Sequence, residues 1–229
     1  MRIGLLSDVH GNLAGLRAVV DALEREGPLD WVVVAGDHLQ GGPRPREVWD
    51  TLAASPWVLI QGNEDIALAE PRLASTGTGY HEQSLRQLAW SRAAIGPTIL
   101  QDLAGLPPQC RLATPAGDLL VVHSSPRSIS DRRGGVHNTA AEVAAAYDGT
   151  GAAAIAFGHW HRAFVRPMPF ALLINVASVG LPLDGRPLAA YTIVTAAADG
   201  WVVEQRRAPY DPAEEAAAAA AAGMPPWAP

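Results

Sequence analysis

Three features of the sequence predict an α/β fold. Short, continuous apolar runs rich in β-branched residues recur at Ile3–Leu6, Trp31–Ala35, Trp57–Ile60, Leu119–Val122 and Ala153–Phe157. Runs of this kind read as strands covered on both faces. The first three are separated by helical periods, and strand, helix, strand units build a parallel sheet. From Ala153 to Arg207 strand follows strand instead, broken at Gly158, Pro167–Pro169, Gly180, Gly185 and Asp199–Gly200, which predicts a second, mostly antiparallel sheet.

Taken in order, Leu13 to Glu26 places Leu16, Val19, Val20 and Leu23 on one helical face, and Gly27-Pro28 ends that helix. Pro43 and Pro45 open a second helix through Val48 and Leu52, closed by Ser55-Pro56. After Gly62-Asn63 the pattern changes. Glu64 to Thr78 is mixed and polar, and His81 to Ile95 reads as a helix with Leu85, Leu88 and Trp90 near its buried face. Pro97 starts a further short helix that Leu106–Pro108 terminates. Arg111–Thr114 and Leu119–His123, joined by a turn at Ala116–Asp118, read as a hairpin. Ser124 to Asn138 is a long loop, of a length more often functional than idle, and a helix follows over Thr139–Tyr147. Asp211 as cap and Pro212 at the first helical position open an Ala-rich helix that runs into a Pro-rich end. The organisation expected is one domain over residues 1–210 with a helical insertion at about 64–106, and a C-terminal tail over 211–229 without chemistry of its own.

Hydrophobic residues at 48% and charged residues at 17% exclude a disordered chain. A net charge of −6 offers no basic field to a long polyanion, so extended nucleic acid is disfavoured as a partner and small substrates suit the chain better. The one cysteine, Cys110, cannot form an internal disulfide. Met1-Arg2 enters a strand at once and no apolar run approaches the length of a membrane span. A cytoplasmic protein without a membrane partner is therefore expected.

Hard oxygen ligands and imidazoles recur where the strands should end: Asp8 and His10, Gly36-Asp37, Gly62-Asn63, His123, and Gly158-His159-Trp160-His161. Any one of these arises by chance, and singly Asp8 is a loop cap, Asn63 a turn former and His123 a satisfied histidine at a strand end. Their recurrence after successive strands is another matter, because ligands of open α/β folds bind along that edge of the sheet. In order and spacing the set resembles the five motifs of the calcineurin-like metallophosphoesterases. Asn175–Gly180 is similar to the Asn-Pro-Gly-Ser-x-Gly stretch of their small bacterial phosphodiesterase-like branch. The resemblance spans roughly residues 1 to 195, and with the strand pattern it implies a four-layer α/β/β/α sandwich of two facing mixed sheets.

By that resemblance the protein is a dinuclear metal-dependent phosphoesterase that hydrolyses small phosphodiesters or nucleotides by attack of a metal-bound hydroxide. Asp37 bridges two ions, Asp8, His10 and His161 complete the first site, and Asn63, His123 and His159 complete the second. Asp37, Asn63 and His159 are the residues expected to carry catalysis. Two divalent ions roughly 3.5–4 Å apart clamp a phosphoryl group and lower the pKa of a bound water. Mixed nitrogen and oxygen ligands suit Mn, Fe, Zn, Ni or Co rather than Ca or Mg alone, the order of affinities allows no unique choice, and Mn is the ion expected first. His159 and His161 alternate, and alternate residues of a strand point to opposite faces, so Gly158 must start a loop there.

Asn12, His38 and Glu64 sit beside ligands and are expected near substrate. His81, His137, Arg127, Arg132 and Arg133 read as surface or packing residues ahead of catalytic ones. Gly41-Gly42-Pro43 lacks the Lys-Ser/Thr of a P-loop and reads as a tight turn. The chain departs from the family's common pattern at Gly62-Asn63-Glu64-Asp65, where many members carry a histidine in place of Glu64. An ionised carboxylate is a poor proton donor and repels a dianion, so diesters are expected over monoesters. A nucleotide or serine/threonine monoesterase with the same site, and a non-catalytic metal-binding scaffold, are the alternatives. A scaffold that had abandoned catalysis would be expected to have lost ligands, and none is missing here.

Overall fold

The computed structural model describes residues 1–72 and 82–226. The chain runs β1 (Arg2–Leu6), α1 (Leu13–Arg25), β2 (Trp31–Val34), α2 (Pro45–Ala53), β3 (Val58–Leu59), α3 (Asn63–Ala69), α4 (Glu82–Ala104), β4 (Gln109–Leu112), β5 (Leu119–Val122), α5 (Ala140–Tyr147), β6 (Ala154–Phe157), β7 (Ala163–Pro167), β8 (Leu172–Val176), β9 (Ala189–Ala197), β10 (Gly200–Ala208) and α6 (Pro212–Ala221). Two five-stranded sheets result, in the orders β10-β9-β1-β2-β3 and β4-β5-β6-β8-β7.

Period-2 side-chain alternation sorts the apolar residues into layers. In β1, Ile3 and Leu5 point between the sheets, where they meet Val121, Ala156, Ile174 and Val194, while Leu6 points outward to Leu16 and Val19 of α1 and Val48 of α2. In β5, Leu119 and Val121 join the layer between the sheets, and Leu120 and Val122 pack outward on Val143 and Tyr147 of α5. Three apolar layers between four layers of secondary structure make the α/β/β/α sandwich.

The strand pairing corrects the expected second sheet. β9 and β10 join the first sheet, with β9 antiparallel to β1, while β5, β6 and β8 form a parallel centre edged by antiparallel β4 and β7. The reason is the open edge of β1. Its backbone groups need a partner on the side away from β2, and β9, buried along nearly its whole length, suits that central place.

The insertion packs on the helical layer of the first sheet. Leu68 of α3 and Leu88, Ile95, Ile99 and Leu103 of α4 share a core with Trp49 and Leu52. α4 is broken at Gly96, whose φ of 75° and ψ of 176° separate two helical pieces, with Pro97 opening the second. Leu85 is exposed, not buried as expected, and His81 lies outside the described residues.

The tail is not idle. Asp211 caps α6 by accepting from Ala213 N at 2.9 Å. Glu215 Oε1 accepts from Ala14 N at 2.7 Å, in the first turn of α1, and pairs with Arg44. Tyr210, just before the tail, meets Asn12 Nδ2 at 3.1 Å, and with Glu215 on Ala14 this end of the chain braces the loop between β1 and α1.

Candidate metal centre

The loops that leave the carboxyl ends of the parallel strands carry the ligand-type residues. Asp8 and His10 follow β1, Asp37 follows β2, Asn63 opens α3 after β3, His123 follows β5, and His159 and His161 follow β6. These loops bring two groups together: Asp8, His10 and His161, and Asp37, His123 and His159, the ligand atoms within each lying within 4.8 Å of one another. Asn63 joins the second, its Oδ1 at 2.9 Å from His123 Nε2. The His159 amide donates to Asp8 Oδ2 at 3.0 Å and ties one group to the other.

Five of these residues adopt left-handed backbone: Asp8 (φ 55°), His10 (φ 50°), Asp37 (φ 55°), His159 (φ 64°) and His161 (φ 53°). Such conformations are uncommon for non-glycine residues and cost of order 1–3 kcal/mol each unless the surroundings over-determine them. Here they are over-determined. Asp8 N donates to Gly36 O at 2.9 Å, His10 N to Asp37 O at 3.0 Å, and Gly158 N to His123 O at 2.9 Å. The twist resolves the alternation problem at His159 and His161, since both leave strand geometry after Gly158 and each reaches a different group. A Cβ at Gly62 would overlap Asp37, and one at Gly158 would overlap Ser7 and Asp8, so glycine is required at both close approaches.

Each of three imidazoles is oriented by a backbone carbonyl. His10 Nδ1 donates to Gln40 O, His123 Nδ1 to Ala35 O and His161 Nδ1 to Leu181 O, all at 2.7 Å. Carbonyl oxygens only accept, so the Nδ1 atoms carry the hydrogens and the Nε2 atoms turn inward. His10 Nε2 and His161 Nε2 then face one another at 3.2 Å, with Asp8 Oδ1 at 3.0 Å from His161 Nε2. Asp8 Oδ1 is buried and has no hydrogen-bond partner among the described residues. With these Nε2 atoms deprotonated, their lone pairs and the Asp8 carboxylate would suit a divalent cation, and the outer carbonyls are the orienting partners that metal-binding histidines use.

The titrations follow from the same geometry. Burial alone would raise the Asp8 carboxyl, but the rings of His161, His123 and His10 outweigh it and hold it well below the usual carboxylate range. Burial would lower His123, yet Asp37, with Oδ2 at 3.3 Å from Nε2, pushes it up to about 10. Asp8 raises His161 in the same way against burial. Burial and the neighbouring His123 bring His159 down to about 4, and burial with His161 lowers His10. Without metal, a proton on His123 and another on His161 occupy part of the space that cations would take.

Two of the residues expected near substrate are engaged by the protein itself. His38 is fully buried, its ring donating from Nδ1 to Asp65 Oδ2 at 2.8 Å and meeting Trp49 edge-on. Asn12 caps α1 by accepting from Gly15 N at 2.7 Å and spends its amide on Gly180 O and Tyr210. Glu64 is half-buried at the site, and its Oε1 accepts from Asn63 Nδ2 at 3.0 Å. In the loop after His123, Arg133 pairs with Asp131 and Arg127 reaches Asp148 O, while Arg132 and His137 are exposed.

Three residues outside the expected set hold the site together. Asp65 accepts from Asp37 N at 2.9 Å, Gly62 N at 2.8 Å and His38 N at 3.0 Å as well as from the His38 ring. Ser178 Oγ donates to Asp8 O at 2.7 Å. The Asn175 amide donates to Gly158 O and accepts from Ala177 N, where φ reaches 64°. Asp65 was visible as an acid in the first turn after Gly62. The other two lay in the Asn175–Gly180 stretch, read above only as a family likeness.

The model of the calcineurin-like phosphoesterase superfamily domain matches residues 1–199. No curated protein matches the chain significantly. Among solved structures, a metallophosphoesterase from Sphaerobacter thermophilus is 27% identical, with 98% of this chain and 95% of that one covered and a TM-score of 0.74. A hypothetical protein from Pyrococcus horikoshii OT3 is similar in fold at 17% identity, covering 98% and 94%, with a TM-score of 0.86. A putative diadenosine tetraphosphatase shares the fold at 18% identity, covering 91% and 94%, with a TM-score of 0.60. With the ligand-bearing loops in place and the family model spanning all of them, the chain belongs to the calcineurin-like phosphoesterase superfamily.

Proposed function

We propose that the protein is a dinuclear metal-dependent phosphoesterase acting on small phosphodiesters or nucleotides, its mixed nitrogen and oxygen donors suiting a transition metal such as Mn, Fe, Zn, Ni or Co, with Mn taken first. The observation that carries this reading is the pair of largely buried ligand groups joined through Asp8 and His159. Two divalent ions bound there would polarise a phosphoryl oxygen and acidify a coordinated water. The residues divide the remaining work. Asp8, His10 and His161 would hold one ion, Asn63, His123 and His159 the other, and Asp37 would bridge them. Asp37 is fixed for that role by Glu64 N, which donates to its Oδ1 at 2.8 Å.

Two dications against Asp8 and Asp37 as ligands, with the Glu64 carboxylate beside them, would leave the site net positive, enough to attract a phosphate to a chain of net charge −6. The carboxylate of Glu64 stands beside Asn63 and disfavours a dianionic monoester more than a monoanionic diester. It has no proton to give a leaving alkoxide, so diesters with good leaving groups are the preferred class. A small phosphoester is thus the partner, without extended nucleic acid or membrane. No helix among the described residues is long and apolar enough to cross a membrane.

Metal-loaded protein assayed on a panel of aryl diesters, cyclic nucleotides, dinucleoside polyphosphates and aryl monoesters tests the reading. Turnover that needs metal and favours diesters is expected, and Glu64→His should raise the monoester to diester ratio by ~10-fold or more through general-acid help. Metal-independent turnover, or a wild type that favours monoesters, contradicts it.

A further inference from the structure

We propose that Glu64 is a positioning residue that fixes the orientation of the Asn63 amide, so that its oxygen and not its nitrogen faces the second metal position. This rests on the two-metal reading above. An asparagine side chain has an accepting end and a donating end of nearly the same shape, and only the oxygen can bind a cation. Rotation by half a turn would present an amino group to the ion. An ionised carboxylate accepts and never donates, so the 3.0 Å contact from Asn63 Nδ2 to Glu64 Oε1 selects one orientation. In it, Asn63 Oδ1 lies 2.9 Å from His123 Nε2, in the second ligand group. The backbone of the same residue serves Asp37, whose Oδ1 accepts from Glu64 N at 2.8 Å. Side-chain substitution leaves that bond in place, and the double variant below separates the contact to Asn63 from anything else the side chain does. The role matches that of the three carbonyls that orient His10, His123 and His161, here supplied by a side chain because an amide ligand has no second ring nitrogen to anchor.

The test is calorimetric titration of metal-free wild type, Glu64→Ala, Glu64→Gln, Asn63→Ala and the double variant with Mn²⁺, with far-UV circular dichroism of each as a check on the fold. Outer ligands of this kind typically contribute 10–100-fold in metal affinity. Glu64→Ala should therefore weaken one of the two ions by about that factor and leave the other unchanged. Glu64→Gln, whose amide can accept from Asn63 or donate to it and so no longer selects one orientation, should recover only part of the loss. In the Asn63→Ala background, Glu64→Ala should have no further effect. Two ions bound equally well by wild type and Glu64→Ala, or a Glu64→Ala loss that persists without Asn63, overturns the inference alone. A wild type that takes up fewer than two ions overturns the two-metal reading and the inference with it.

Discussion

Asp65→Asn isolates what holds the metal loops together, because Asp65 touches no proposed ligand side chain yet accepts from the backbone of two ligand loops. Its Oδ2 takes Asp37 N at 2.9 Å, Gly62 N at 2.8 Å and His38 Nδ1 at 2.8 Å, and its Oδ1 takes His38 N at 3.0 Å. An asparagine with its oxygen at the Oδ2 position keeps the first three bonds, but its amino group then faces the His38 amide, donor against donor. One buried N–H left unpaired costs about 1–3 kcal/mol, and three bonds lose their charge assistance. Removing a fully buried charge returns part of this. A destabilisation of about 3 kcal/mol is expected, read from urea unfolding of metal-free protein followed by circular dichroism. The pH dependence has a definite sign. Burial would raise the Asp65 carboxyl, but the charge of His38 and the bonds it accepts lower it below 3.8 in the folded chain. Its contribution is therefore present above pH 3.8 and lost as the pH falls through the folded value, so the gap between wild type and variant should shrink only in acid. A loss under about 0.5 kcal/mol at neutral pH, within the range of ordinary surface substitutions, would refute the argument.

Asp37→Asn should lower kcat by orders of magnitude with the fold intact, far more than His38→Ala, whose effect should fall on stability; equal activity with metal present would exclude Asp37 as the bridge. Mn²⁺ affinity should rise with pH from about 7 toward 10, up to about tenfold per unit for each proton displaced, because His123, pushed up to about 10, and the raised His161 hold protons that the ion must displace. Titration across that range in buffers of different ionisation enthalpy reads the released protons, and a pH-independent affinity would contradict the geometry. Glu215→Ala should cost about 1–3 kcal/mol, since it strands the Ala14 amide and leaves Arg44 with Glu214; an unchanged unfolding midpoint would show that the tail does not brace the site.

Much of the molecule was legible in the residue order. The apolar runs located the strands, Gly96-Pro97 located the break in α4, and Asp211-Pro212 located the start of α6, since each rests on local chemistry. That acidic and imidazole residues from the ends of successive strands come together was legible as well, because they recur there in the order of the family's motifs. Partners far apart in sequence were not. Nothing local in β9 says that it pairs with β1, at a separation of nearly the whole chain. Burial of His38 and Asn12 was hidden for the same reason: a polar residue next to a ligand looks the same whether it faces solvent or a partner such as Asp65 or Tyr210. The left-handed backbone at Asp8, His10, Asp37, His159 and His161 was equally silent, being imposed on ordinary residues by contacts between loops.

The most direct test of the two-metal claim is an anomalous-diffraction map of crystals grown from Mn²⁺-loaded protein. Two peaks per chain are expected, one among Asp8, His10 and His161 and the other among Asn63, His123 and His159, with Asp37 between them and a separation of roughly 3.5–4 Å. One peak, none, or peaks away from these side chains would contradict the account.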